Sequence, residues 1–600
     1  MKIKVSDYIA KFLIEKGITD VFTVVGGGAM HMNDSFGHNP KLHCLYNHHE
    51  QASAMAGEAY ARLKNKMAAV CVTSGPGAIN ALNGVAGAYQ DSIPMLVFSG
   101  QTKTTLTVKY SGLNLRTLGN QEFDIVSALD NMTKYAEMVM DPLNIRYCLE
   151  KAYHIATSGR PGPCWLDIPL DVQGAFVEED SLIGYLDKED SNINNLEQVV
   201  KQVVFKLETA KRPVIYAGTG IRLSGGVELL HKLAEKYSVP VVTCWDSIDL
   251  IGTDNKYYCG RAGTMGDRAG NFAVQNSDFL ICIGTRLNIY QVGYNVDTWA
   301  REAYTVVVDI DPEELKKKTV RIDLPVCADA SDFLKALLAC DIHGTNSDAW
   351  INQCNLWKAK YPVVNNDQLH ASGLVNVYAF IDLLSRKLSQ KSVTVVANGS
   401  CSVVGSQAYY IKEDDRFLIN CGISSMGYGL PAAIGACIAN NKEQVICLEG
   451  DGSLMMNLQE LQTVATNKLP IKLFVINNGG YHQIRQTQNN IFHNGLVGVG
   501  PESNDLGFPD FTKLSVAFGI EYMRIDNNLD INDGIQKVLD APEAVLCEVV
   551  VSIEQKFEPK SATKKLEDGS LFSPPLEDLA PFLPREELKE NMYIPLIEEK

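Results

Sequence analysis

The sequence predicts an α/β protein of three domains, each built on a parallel sheet, followed by a C-terminal tail. Short apolar, β-branched runs alternate with helical stretches along most of the 600 residues, the pattern of parallel strands joined by crossover helices. Several runs open into glycine turns, among them Gly26-Gly27-Gly28, Gly75-Pro76-Gly77, Gly218-Thr219-Gly220 and Gly450-Asp451-Gly452. The carboxyl edge of a parallel sheet is where such turns meet ligands. The length is a third indication, because 600 residues exceed what a single core organises.

The first domain is assigned to residues 1–178. Ser6 is placed as the cap of a helix whose apolar face is Ile9, Phe12 and Leu13, and Gly17 ends it. Strands follow at 21–25, 68–73 and 95–98. The polar run 178–195 breaks the alternation and reads as a linker. The middle domain, 196–342, has strands at 214–217, 239–243, 279–283 and 305–308. An irregular stretch near 343–372 precedes a third domain, 373–555. Residues 556–600, with Pro574, Pro575, Pro581 and Pro584, form the tail.

Composition excludes several classes. At 46% hydrophobic and 21% charged the chain is ordinary for a globular protein, and a formal charge of −17 argues against nucleic acid or an anionic membrane surface as partner. No apolar run reaches membrane-spanning length, and the amino terminus lacks a signal-peptide core. The fifteen cysteines are scattered without a C-x-x-C pair, so they read as small buried hydrophobes in a reducing, cytoplasmic setting.

Chemistry concentrates at Asp451 and, 27 residues later, Asn478. Each follows a β-branched run, and a helix over 455–467, ended by Leu469-Pro470, separates them. A right-handed strand–helix–strand unit leaves both polar turns at one sheet edge. A carboxylate, an amide oxygen and a glycine turn suit Mg²⁺ carrying a diphosphate, with backbone N–H groups taking phosphate oxygens. Glu50 opens a small-residue helix, Gln51 to Gly57, and Ser53 stands where a metalloprotease motif needs a second His.

The Gly-Asp-Gly and Asn-Asn elements at this spacing resemble the thiamine-diphosphate-binding motif. His49-Glu50-Gln51, Thr73-Ser74-Gly75-Pro76-Gly77, Asp91-Ser92-Ile93-Pro94, Gly159-Arg160-Pro161-Gly162-Pro163 and Ser425-Met426-Gly427-Tyr428-Gly429 extend the likeness to the acetolactate synthase branch over nearly the whole chain. The resemblance implies that Asp451, Asn478 and the carbonyl of Gly480 ligate Mg²⁺. It places Gly27, Gly399, Ser400, Ser424, Met426, Gly452, Ser453 and Tyr481 around the cofactor, with Met426 wedged between its rings. Glu50 becomes the cofactor-activating acid, supplied across a subunit interface, with Gln121 beside it; a homodimer or homotetramer follows. In the middle domain Arg160, Gly218, Thr219, Gly220, Arg286, Asp309, Asp311 and Asp329 stand at the positions that bind FAD, expected to be structural, although the glycine turn has Leu223 where a dinucleotide fingerprint ends in Gly. An ADP-binding site is the alternative there.

The chain departs from the branch on the acceptor side. Tyr290 replaces an Arg, Thr487 a Trp, Asn120 a Phe and Leu170 a Lys, while Gln121 is retained. Losing an Arg that would pair with a carboxylate weighs against a second 2-oxo acid as acceptor. The expected activity is therefore decarboxylation of pyruvate and transfer of its two-carbon unit to another carbonyl, such as a nucleotide-linked ketosugar, in a pocket formed by Asn120, Tyr290, Gln483 and Thr487. The alternative is acetolactate synthase itself, condensing two pyruvates. The tail is expected to fold over the site as a lid that excludes water.

Overall fold

The computed structural model describes residues 2–187, 196–341, 347–492, 494–565, 569 and 571–597. Three six-stranded sheets carry the chain, and every strand pairing within them is parallel. Across its width the first sheet runs His43–Tyr46, Asp20–Thr23, Ala68–Val72, Met95–Gln101, Cys164–Pro169, Tyr135–Met138. The third runs Arg416–Ile419, Val393–Val396, Val445–Gly450, Ile471–Asn477, Val545–Val550, Glu521–Ile525. Numbered along the chain, both have the order 2-1-3-4-6-5, whereas the middle sheet has 3-2-1-4-5-6. In all three the order reverses beside the first strand, and a crevice opens there at the carboxyl edge.

The inner strands are buried on both faces, so they read as unbroken apolar runs instead of alternating ones. Phe279–Ile283 lies where the sequence places it, and Ala68–Val72 and Pro213–Ala217 differ by one residue. Other expectations are corrected. The first helix, Val5–Glu15, has Lys4 at its cap without a side-chain bond; Ser6 lies inside it and accepts from Ser35 Oγ at 2.8 Å. The helix expected over 455–467 begins only at Glu460 and ends at Asn467; 455–459 form turns, within which Asn457 donates its amide to the Gly427 carbonyl at 2.8 Å. The stretch 343–372 contains the helix Asp348–Lys360, whose Trp350, Cys354 and Trp357 are buried in the middle domain. Glu178 is not linker: Phe176–Glu178 pairs antiparallel with Lys2–Lys4. Residues 188–195 of the expected linker lie outside the described ones.

The described tail is seated on the middle domain. Leu576, Leu579 and Leu588 join its core, and Glu577, buried, receives Gln275 Nε2 at 2.6 Å and Arg301 Nη1 at 2.9 Å. Among the described residues no helix is long and apolar enough to cross a membrane.

The first and third domains meet through the helices Glu50–Lys64 and Gly429–Ala439. Tyr428 donates to the buried Glu58 carboxylate at 2.6 Å, and Arg62 Nε does so at 2.8 Å. Gly435 lets the backbones touch: a methyl there would overlap the Ala56 carbonyl and lie 2.8 Å from its Cα. Gly435→Ala is accordingly expected to cost about 3 kcal/mol, the upper range for overpacking. An unchanged urea midpoint would show that the helices separate without penalty.

Candidate active site

The third-domain crevice lies between Val393–Val396 and Val445–Gly450. The second strand delivers Asp451, buried, whose Oδ1 accepts from Gly452 N at 2.7 Å and Oδ2 from Gly480 N at 2.8 Å. Burial pushes its carboxyl up to about 6. Ile471–Asn477 delivers Asn478, also buried, which donates through Nδ2 to Ser400 Oγ at 3.0 Å. Among the described residues its Oδ1 is left without a partner. A buried acceptor of that kind calls for a donor or a cation, and here it stands beside a carboxylate. Among the described residues the Gly480 carbonyl accepts only His482 N, at 2.9 Å, which leaves its second lone pair. Residues and orphaned oxygen together fit a hard cation. Among the described residues no cluster of three or more His, Cys, Asp or Glu offers a competing metal site.

A cleft of about 290 Å³ surrounds these groups, lined by Gly399, Ser400, Met426, Gly452, Ser453, Tyr481 and Gln483. The helix Ser400–Ala408 begins at its wall after Gly399, whose φ is +73°, so its free N–H groups suit phosphate oxygens. Ser453 Oγ accepts from Gly427 N at 2.8 Å. Tyr481 covers the Gly452 turn, where a methyl would overlap its ring. Ser424 is outside the lining, with a left-handed φ of 51° and its carbonyl bound by Asn398 Nδ2.

The crevice of the first sheet gathers a different set. Glu50 starts its helix and accepts from Asn80 Nδ2 at 3.0 Å; the space where Gly77 would carry a methyl is 3.1 Å from Glu50 Oε1. Gln121, at φ 53°, puts its carbonyl where a side chain at Gly75 would stand. Gly27 lies in the turn after Asp20–Thr23, beside Gly28, whose N–H donates to Thr73 Oγ1 at 3.1 Å. Gly27, Glu50 and Gln121 thus converge on one edge, yet none lines the third-domain cleft of the same chain. The two regions are joined by buried Glu460, which accepts from Asn47 Nδ2 and His48 N, both at 2.9 Å.

The four acceptor-side residues are not brought together within one chain. Gln483 lines the cleft, and Thr487, one helical turn on and exposed, donates to the Gln483 carbonyl at 3.0 Å. Tyr290 sits in the middle domain, tilted against Trp245 at 4.9 Å between ring centres, and Asn120 belongs to the first domain.

In the middle domain the order reverses between Pro213–Ala217 and Phe279–Ile283. A cavity of about 140 Å³ lies there, lined by Arg160, Thr219, Gly220, Arg286, Asp309 and Asp329. Gly218 stands behind it, pressed against Gly284. A second cavity of about 490 Å³ shares Arg160 and Arg286 and adds Asp311. Arg160 Nη1 pairs with Asp311 at 3.1 Å and Glu314 at 2.8 Å. Burial raises the Asp309 carboxyl. Two guanidiniums, a close glycine turn and carboxylates suited to hydroxyl groups fit an elongated nucleotide cofactor.

Sequence reasoning passed over four residues. His482 lines the cleft. Arg485, buried, donates to the Asn478 carbonyl at 3.1 Å and the Gly479 carbonyl at 2.7 Å, and pairs with Glu502 at 2.7 Å. Glu449 and Asp167 are acids inside buried strands, both pushed up to about 7 by burial; that interruption of an apolar run was the available signal. Asp167 accepts from Ser99 Oγ at 2.6 Å and Gln101 Nε2 at 3.1 Å. The folded chain keeps its proton up to about pH 7, whereas the unfolded chain, with the ordinary value of 3.8, releases it earlier. Stability tied to this group therefore falls as pH rises from about 4 to 7 and levels off above. Asp167→Asn is expected to flatten that slope, worth on the order of 4 kcal/mol. Parallel pH–Tm curves for the two proteins would disprove it.

Known proteins share this plan. Residues 3–128 match "Thiamine pyrophosphate enzyme, N-terminal TPP binding domain", 200–337 the central domain and 397–549 the C-terminal TPP binding domain. The chain is 31% identical over 552 residues to the acetolactate synthase large subunit of Lactococcus lactis, covering 91% of this chain and 92% of that one. It is 30% identical over 571 residues to the large subunit of Cyanidium caldarium, covering 92% and 94%. With acetolactate synthase 2, chloroplastic, of Nicotiana tabacum it shares 30% over 569 residues, 93% and 83% of the two chains. The chain belongs to the acetolactate synthase family of thiamine-diphosphate-dependent enzymes.

Proposed function

We propose that the protein is a thiamine-diphosphate- and Mg²⁺-dependent carboligase that decarboxylates pyruvate and joins the two-carbon unit to a second pyruvate, giving acetolactate. The observation that carries the cofactor half is the unpartnered Asn478 Oδ1 beside Asp451. The names of its relatives support the acceptor half. Those relatives favour two-pyruvate condensation over the nucleotide-linked ketosugar that the acceptor-side residues first suggested.

Bound thiamine diphosphate supplies an electron sink that lets a 2-oxo acid lose CO₂ and its remaining two carbons act as a nucleophile. Asp451, Asn478 Oδ1 and the Gly480 carbonyl would hold Mg²⁺, while Gly399, Ser400, Gly452 and Ser453 would hold the diphosphate. Arg485 keeps the Asn478–Gly479 turn in place through its two carbonyl bonds. Met426 props the cofactor. Glu50, from a second copy of the chain, would hold and return a proton at the cofactor, with Gln121 next to it. The proposed assembly is a homodimer or homotetramer, because the Glu50 edge and the Asp451 cleft of one chain are separate. FAD would occupy the paired middle-domain cavities.

The second reading keeps the donor and changes the acceptor. Asn120, Tyr290, Gln483 and Thr487 are all uncharged, so no cation from the four acceptor positions awaits a second carboxylate. The deciding experiment supplies pyruvate, thiamine diphosphate, Mg²⁺ and FAD, and quantifies CO₂, acetolactate and acetaldehyde with and without a nucleotide-linked 4-ketosugar. Fast acetolactate formation indifferent to the sugar supports the synthase. CO₂ release raised many-fold by the sugar, with a two-carbon adduct, replaces it by the second reading.

A further inference from the structure

Between the middle and third domains lies a cavity of about 210 Å³ that none of these roles uses. Arg261, Lys358 and Arg386 line it, against the carboxylates of Asp267 and Asp382. Most of those charges are committed. Asp382 takes Arg386 Nε on both oxygens at 2.9 Å, and the guanidinium also lies 4.1 Å from the Tyr410 ring centre. Asp267 spends its oxygens on the backbone N–H groups of Arg261 at 2.8 Å and Gly270 at 2.6 Å. Arg261, buried, donates to the carbonyls of Ser406 at 2.9 Å, Gln407 at 2.6 Å and Tyr409.

Lys358 is the charge left over. Among the described residues its ammonium has a 3.5 Å contact with the Thr253 carbonyl and lies 5.4 Å from the Tyr258 ring centre, with no carboxylate in ion-pair range. Burial lowers its pKa, and the nearby Asp267 and Asp254 charges only partly restore it. Asp254 itself is engaged by the Tyr410 hydroxyl. An ammonium drawn out of water without a counterion is costly, and an anion entering the cavity relieves that cost.

We propose that this interdomain cavity binds a small oxyanion, of the size of phosphate or a three-carbon carboxylate, through Lys358. The three carbonyls held by Arg261 end the helix Ser400–Ala408, whose other end opens on the cofactor cleft. An occupant beside Arg261 is thereby linked to the diphosphate-binding end of that helix, and coupling of this kind is reciprocal.

The test is thermal denaturation of the full chain saturated with thiamine diphosphate and Mg²⁺, which keeps phosphate out of the cofactor cleft. Inorganic phosphate and, separately, L-lactate are titrated against chloride at constant ionic strength. A saturable rise in Tm is expected for at least one of them, and which one responds identifies the anion. Lys358→Met should weaken the response at least tenfold and Lys358→Arg should retain it. Lys358→Gln replaces the Met variant if that one loses its cooperative transition. No saturable rise with either anion, or an undiminished rise without the lysine, overturns the proposal.

Discussion

Replacing Glu50 by Gln is expected to lower pyruvate turnover by about 10²–10⁴-fold, the range for loss of a positioned acid–base group. The substitution is nearly isosteric, and among the described residues the carboxylate's one side-chain partner is Asn80 Nδ2 at 3.0 Å. Fold and assembly should therefore survive, and the cofactor should still raise Tm. What disappears is the capacity to share a proton, which an amide lacks. Steady-state CO₂ release, read beside cofactor binding by calorimetry, separates the two. Turnover within a factor of about three of the parent would remove Glu50 from the mechanism and with it the argument for a shared site.

Asp451→Asn is expected to do the reverse to cofactor binding while sparing the stability of the protein without cofactor. The amide oxygen can still accept one of the two N–H groups, from Gly452 or Gly480, now at 2.7 and 2.8 Å, but its NH₂ faces the other donor and the negative charge is gone. Affinity for Mg²⁺ with thiamine diphosphate should fall at least about 100-fold, since hard cations are held chiefly by charged oxygen. The protein without cofactor should lose little stability at neutral pH, because burial, which pushes this carboxyl up to about 6, already penalises its ionised form. Calorimetric titration and Tm without cofactor check the two halves. Undiminished affinity would mean that Asn478 Oδ1 and the Gly480 carbonyl suffice.

The parts legible in the sequence are those with one physical cause. Strands buried on both faces announce themselves as apolar runs, which is why 279–283 matched. Asp451 and Asn478 were legible because each ends such a run at the same sheet edge. Residues defined by partners far along the chain were not. Arg485 matters through carbonyls of its own turn and Glu502, and Glu460 through a loop more than 400 positions earlier. The helix Asp348–Lys360 escaped because its buried face, Trp350, Cys354 and Trp357, is interrupted by polar neighbours. The acceptor positions carry no local signal of this kind, since Asn120, Tyr290 and Thr487 come from three domains and do not meet within one chain.

The contact between the helices Glu50–Lys64 and Gly429–Ala439 also bears on how the chain comes into being. Their sequence positions are separated by 429 − 64 = 365 residues. At ribosomal speeds of about 5–20 residues per second, the earlier helix waits roughly 20–70 s for its partner to be made. During that interval the surface around Ala56, against which Gly435 later packs, is uncovered. Long-range closure of this kind slows folding and exposes the nascent chain to aggregation. Yield from heterologous expression is therefore governed by translation rate and chaperone supply more than by the final stability of the folded protein.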